Sequence, residues 1–76
     1  MSYRRFETPS RARVQKFWEI RRIENGLGMH RRWGLSNGDG IRYKLDRFET
    51  EEEADNVERY LIAKRRRNGY LEVKMH

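Results

Sequence analysis

Aromatic and β-branched residues begin a regular pattern at residue 16, and the pattern predicts a first strand over residues 16–23. The run Phe17-Trp18-Glu19-Ile20-Arg21-Arg22-Ile23 is short for a helix and rich in residues that favour strands. Both of its faces carry apolar groups, so we expect a central strand that is covered for part of its length. Asn25, Gly26 and Gly28 follow and predict a tight turn.

A second strand is predicted over residues 29–35, because alternation resumes after that turn. Side chains of a strand point alternately to its two faces. One face would therefore carry Arg31, Trp33 and Leu35, and the other His30, Arg32 and Gly34.

The third predicted strand follows residues 36–40, which contain both Asn-Gly and Asp-Gly and predict a hairpin. Its alternation is the most regular in the chain. We expect Ile41, Tyr43 and Leu45 to face the core, and a wet, mostly basic face made of Arg42, Lys44 and Asp46.

A helix is predicted after Thr50, whose side chain can form a capping box with Glu53. Its apolar stripe is narrow and consists of Ala54, Val57 and Leu61, with Tyr60 able to widen it. Acidic residues in the first turn and residues 64–67, all basic, in the last turn suit the helix dipole. Asn68-Gly69 predicts a left-handed C-cap.

The fold class that follows is α+β, with the order β-β-β-α-β. Leu71, Val73 and Met75 alternate with polar residues and predict the last strand. We expect a small antiparallel sheet of about four strands with one helix packed on one face. Residues 1–15 lack periodicity and are interpreted as a flexible basic arm before a domain at 16–76. Two alternatives stay open for this arm: a disordered tail without function, or phosphate binding through Arg4, Arg5, Arg11 and Arg13.

The distribution of charge along the chain says more about function than its length does. The 76 residues carry a net charge of +6, and residues 49–58 hold six acids and no base, so the rest of the chain carries +12. Fourteen of the eighteen basic residues are arginine, which favours bidentate phosphate contacts and stacking. The acidic block and residues 64–67 are explained as helix ends, so the remaining bases are the stronger indication of a polyanion partner.

Candidate catalytic chemistry is sparse. The chain has no cysteine, and its imidazoles are His30 and His76. Neither glycine-rich turn opens a helix, so neither predicts a phosphate-binding loop. We therefore expect a non-enzymatic protein with no cofactor, no metal site and no small-molecule substrate. Without a membrane-spanning run or a signal-peptide pattern, we expect a soluble, cytoplasmic protein with no membrane partner.

An ordered set of short motifs resembles the WGR domain family, which occurs in poly(ADP-ribose) polymerases and in small bacterial proteins. The matching pieces run from residue 17 to about residue 73. They are Phe17-Trp18-Glu19, Arg32-Trp33-Gly34, Phe48 before Glu52-Glu53-Ala54, and Lys64 followed by Gly69-Tyr70. One position departs from the motif, because Leu35 stands where the motif has arginine.

The resemblance implies a nucleic-acid-binding module that reads DNA ends in the polymerases, where the motif tryptophan packs on the sugar-phosphate end of a strand. That role falls on Trp33, with Gly34 shaping the strand beneath it. Charge lost with Leu35 could come from Arg31, Arg32 and Arg42, and Lys44 is a further candidate nucleic-acid contact. DNA is favoured over RNA as the partner. Two alternatives stay open: Trp33 and Leu35 contact a partner protein, or Trp33 is part of the core.

Overall fold

Five β-strands and one α-helix make up the computed structural model, which describes residues 3–74. The elements are β1 Tyr3–Glu7, β2 Lys16–Ile23, β3 Gly28–Leu35, β4 Arg42–Arg47, α1 Glu51–Arg67 and β5 Leu71–Val73. All neighbouring strands are antiparallel, in the order β4-β3-β2-β1-β5. The predicted α+β class is confirmed, with five strands in place of about four. Met75, predicted in the last strand, and His76 lie outside the described residues.

The extra strand is β1, and it corrects the interpretation of residues 1–15 as a flexible arm. It lies between β2 and β5, with Phe6 opposite Trp18 on one side and Glu72 on the other. Phe6 is completely buried. A single apolar residue flanked by Arg4-Arg5 and Glu7 gives no visible periodicity, although it fills the centre of the core. The arm interpretation is therefore wrong for Tyr3–Glu7.

The loop from Thr8 to Gln15 is held by hydrogen bonds as well. The Thr8 N–H donates to the Lys16 carbonyl at 3.0 Å, and the Lys16 N–H donates to Thr8 Oγ1 at 2.9 Å. The Gln15 side-chain amide donates to the carbonyls of Pro9, Ser10 and Ala12. This loop brings β2 back antiparallel to β1.

Helix α1 covers one face of the sheet, called the helix face below. Thr50 is confirmed as its N-cap residue, because the Glu53 N–H donates to Thr50 Oγ1 at 3.1 Å, which is one of the two contacts of the predicted capping box. The main core cluster comprises Phe6, Trp18, Ile20, Met29 and Ile62. Ala54 is also buried, whereas Tyr60 is 64% exposed and does not widen the apolar stripe as predicted. Ile62, two residues further along the helix, is buried instead.

The other face of the sheet, called the open face below, carries the residues that the third strand was predicted to bury. Trp33 pairs with Arg42, so alternation places Arg42, Lys44 and Asp46 on the helix face. Tyr43 and Leu45 are 63% and 51% exposed on the open face, and the predicted core face of this strand is therefore wrong. Alternation shows that a strand has two unlike faces, but not which of them the helix covers.

The described part of the chain contains no helix that is long and apolar enough to cross a membrane.

Candidate functional site

Trp33 lies on the helix face near the end of β3, directly opposite Trp18 of β2. It is half-buried and packs against the core cluster. Its remaining surface lines an open groove of about 320 Å³, called the Trp33 groove; the lining residues are Lys16, Phe17, Trp33, Gly34, Leu35, Gly40, Arg65 and Tyr70. Trp33 is therefore both a packing residue and an accessible surface.

Arg65 is the groove residue that the sequence did not indicate. Its guanidinium lies over the ring of Trp18 at 5.3 Å and over the ring of Tyr70 at 5.5 Å. The acidic residues in the described range make no ion pair with it. One sequence signal could have found it, since Arg65 follows Leu61 by four residues and Ile62 by three on the covered side of α1.

The charged lining of the Trp33 groove is entirely positive. Lys16 begins β2, and Arg65 reaches over from α1; no Asp or Glu lines the groove within the described residues. Arg42 pairs with Trp33 across the strands, and Lys44 follows on the same exposed edge. Neither makes an ion pair with an acid in the part of the chain that the structure describes. Within the described residues, two cations without an ion pair thus line the groove, a third lies opposite Trp33 on β4, and Lys44 lies two residues further along that strand.

The other predicted arginines of this stretch have carboxylate partners. Arg31 shares the helix face with Trp33, as predicted, and its Nη2 lies 2.7 Å from Asp46. Arg32 points to the open face, where its Nε donates to Glu19 at 2.7 Å. These two side chains are therefore separated by the sheet, and each has a carboxylate partner.

The four arginines predicted as phosphate contacts of an N-terminal arm fall into two groups, one with carboxylate partners and one exposed in a loop. Arg4 donates twice to the Glu72 carboxylate, and Arg5 bridges Glu7 and Glu19 at 2.7 Å each. The hydrogen bonds from Arg4, together with Arg66, hold the pKa of Glu72 below its ordinary value despite partial burial. Arg11 and Arg13 are exposed in the loop before β2; Arg13 lines a second groove of about 360 Å³ with Val14, Gln15, Leu35 and Asn37.

The fold explains why position 34 is glycine, which the motif alone does not reveal. A Cβ atom at this position would lie 3.0 Å from Ile41 Cα and 3.1 Å from the Gly40 carbonyl oxygen. Both contacts are with backbone of the turn that folds over β3. Glycine here allows the turn to form one wall of the Trp33 groove.

We expect Gly34→Ala to lower the free energy of unfolding by about 1–3 kcal/mol, because the turn must move to admit a methyl group. Urea unfolding followed by tryptophan fluorescence would measure the change. Ser36→Ala, on the exposed part of the same turn, is the matched control and should stay within about 0.5 kcal/mol of wild type. Equal stability of Gly34→Ala and wild type would show that the close approach of the turn is not required.

Titratable side chains do not assemble into a metal site: residues 3–74 contain no group of three or more His, Cys, Asp or Glu placed to hold an ion.

Comparison with family models matches residues 3–76 to the WGR domain. Comparisons with curated proteins and with solved structures gave no match. The matched range begins at the first residue of β1, includes all five strands and α1, and covers essentially the whole chain. Trp33 and Gly34 stand at the motif positions, beside the groove described above. This chain belongs to the WGR domain family.

Proposed function

We propose that this chain is a non-enzymatic module that binds nucleic acid, DNA in preference to RNA, at the Trp33 groove. One observation carries the proposal: a half-buried indole lines a groove whose charged side chains, Lys16 and Arg65, are both cations. The family supports it, because the WGR domain is a nucleic-acid-binding module in poly(ADP-ribose) polymerases.

In this proposal each side of the groove has a separate task. The free surface of Trp33 packs on the sugar or base at an exposed strand end, a contact that any sequence can make. Lys16 and Arg65 bind the phosphates on either side, and Arg42 extends the positive surface along β4. Phosphate contacts position the strand without reading its sequence. Arg65 is already held between two aromatic rings, so little side-chain freedom is lost on binding.

Leu35 supports a second candidate, a protein partner. It lines both the Trp33 groove and the second groove, where Val14 is 48% exposed. Exposed apolar residues grouped in this way often mark protein-binding surfaces. Leu35→Arg separates the two candidates, because a new cation should preserve or strengthen DNA binding and should weaken an apolar protein contact.

We expect Trp33→Ala to weaken binding to a blunt-ended DNA duplex by about 5- to 150-fold, the factor that corresponds to one lost stacking contact. Arg65→Gln and Lys16→Gln should each reduce the slope of log K against log salt by about 0.9. Fluorescence anisotropy with a labelled duplex, repeated from low to moderate salt, measures both quantities.

Two variants on the exposed side of α1 serve as controls for lost aromatic area and lost charge. Tyr60→Ala removes a 64% exposed ring, and Arg59→Gln removes a cation whose groove also contains Asp55 and Glu58. Both should bind DNA almost as wild type does. Because Trp33 also packs on the core, the charge variants keep the test valid if Trp33→Ala is poorly folded. The proposal would be overturned if the protein showed no micromolar binding at low salt, or if none of the three groove variants weakened binding.

A further inference from the structure

The open face of the sheet is a second surface without a covering element in the described part of the chain. Its centre consists of two neighbouring rows across the strands, which the register places side by side. One row is Arg5-Glu19-Arg32-Tyr43 and the other is Tyr3-Arg21-His30-Leu45. A cleft of about 210 Å³ lies between them; its lining residues are Tyr3, Glu19, Arg21, His30, Arg32 and Tyr43.

The floor of this cleft is fixed by Glu19, which is only 7% exposed. Its carboxylate accepts hydrogen bonds from the Tyr3 hydroxyl, from Arg5 Nη1 at 2.7 Å and from Arg32 Nε at 2.7 Å. Burial alone raises the pKa of Glu19, but these three hydrogen bonds outweigh it and hold the pKa below its ordinary value. Two arginines therefore neutralise the carboxylate, and it does not repel an incoming anion.

One wall of the cleft is a pair of stacked rings. His30 and Tyr43 have ring centroids 5.8 Å apart and planes inclined by 23°. Tyr43 is 63% exposed, so its outer face is free to stack on another ring. Stacking of this kind is worth about 1–3 kcal/mol per nucleobase and does not depend on the base.

On its β1 side, the cleft carries a cation without a carboxylate partner in the described range. Arg21 is exposed, lies over the ring of Tyr3 at 5.2 Å, and pairs with His30 across the strands. The open face as a whole carries Arg5, Arg21, Arg32 and Arg47 against Glu7, Glu19 and Glu24, the last of which pairs with Arg47, so one positive charge is left over. Its excess of positive charge favours an anionic ligand over a basic peptide or a quaternary ammonium group.

Size points to part of a polymer as the ligand. Pockets that enclose a whole small molecule usually measure ~300–1,000 Å³, and this open cleft is smaller. A single ring on Tyr43 with an adjacent phosphate on Arg21 needs no enclosure, because the rest of the strand supplies further contacts.

We propose that the open face binds single-stranded nucleic acid, with one base stacked on Tyr43 and the neighbouring phosphate held by Arg21 and by the free nitrogens of Arg32. This surface lies across the sheet from the Trp33 groove. It is built from different side chains, and its binding does not rest on the function proposed for that groove. A strand could therefore be held on one face while a duplex end is held on the other.

The test uses a labelled oligothymidylate and fluorescence anisotropy at low salt. Tyr43→Ala should weaken binding by about 5- to 150-fold, and Tyr43→Phe, which keeps the ring, should bind as wild type does. Arg21→Gln should reduce the slope of log K against log salt by about 0.7. Tyr60→Ala on α1 is the matched control for an exposed tyrosine.

Repeating Tyr43→Ala in a Lys16→Gln/Arg65→Gln background, which keeps the core-packing Trp33, separates the two surfaces. The same factor in both backgrounds supports an independent site on the open face, even if the groove substitutions themselves have no effect and the groove proposal fails. No change on Tyr43→Ala and Arg21→Gln in either background would overturn the inference, whatever the groove substitutions do. Equal losses for Tyr43→Ala and Tyr43→Phe would also overturn it, because they would exclude stacking.

Discussion

Phe6→Ala is expected to lower the free energy of unfolding by about 3–5 kcal/mol, the usual cost of removing a buried phenylalanine ring. Phe6 is completely buried, and its ring lies 5.6 Å from the ring of Trp18 at an interplanar angle of 58°. A domain of this size is stable by roughly 4–11 kcal/mol in total. The substitution should therefore remove a large share of the total stability.

The position of β1 in the sheet explains why this loss should be large. Because β1 joins β2 to β5, loss of the Phe6 ring weakens three strands and their packing on Ile62 together. Urea unfolding followed by circular dichroism gives the free energy. Phe6→Leu should recover most of the loss, and Tyr60→Ala, which removes an exposed ring, should cost less than about 0.5 kcal/mol. A stable Phe6→Ala variant would restore the interpretation of the N-terminal residues as a dispensable arm.

The elements that sequence predicts best are those whose signals are local. Thr50 and Glu53 cap α1 through a contact three residues apart, and Gly69 ends it with a positive φ of 90°. The alternation of β3 correctly places Arg31 and Trp33 on one face. None of these features depends on distant parts of the chain.

The elements that sequence missed depend on long-range pairing. Phe6 gives no periodic signal by itself, and its burial follows from β1 being placed between two strands that are far away in sequence. Tyr43 and Leu45 alternate as a core face should, but their side is decided by the register with β3 and by the face on which α1 lies. Local patterning carries neither piece of information.

The candidate site divides in the same way. Trp33 and Gly34 were indicated by a motif, whereas Arg65 enters the groove only because α1 crosses the sheet above Trp18. Arg32 stands next to Trp33 in sequence but on the opposite face of the sheet, and Glu19 holds it there. Counting neighbouring bases therefore describes the charge near Trp33 less well than the fold does.

Arg22→Met is expected to destabilise the protein by about 3 kcal/mol, because it breaks a buried ion pair and leaves the partners unpaired. Arg22 is 7% exposed on the helix face. Its guanidinium binds Asp55 at 2.7 Å, Glu58 at 3.1 Å and the carbonyl of Gly26. It thus fixes the first half of α1 to β2 and to the turn after β2. Asp55 is largely exposed and returns to water, so the cost falls mainly on Glu58 and the Gly26 carbonyl.

Arg47→Met is the matched control, since Arg47 makes an ion pair with Glu24 at 2.8 Å while both side chains are exposed. Its cost should be about 0–1 kcal/mol, as for other surface pairs. In the Arg22→Met background, Glu58→Leu should recover about 1–3 kcal/mol by removing the unpaired, partly buried carboxylate. Urea unfolding of wild type, Arg22→Met, Arg47→Met and the Arg22→Met/Glu58→Leu double variant measures each of these free-energy changes. If Arg22→Met costs no more than Arg47→Met, or if Glu58→Leu recovers nothing, α1 is held to the sheet by apolar packing alone.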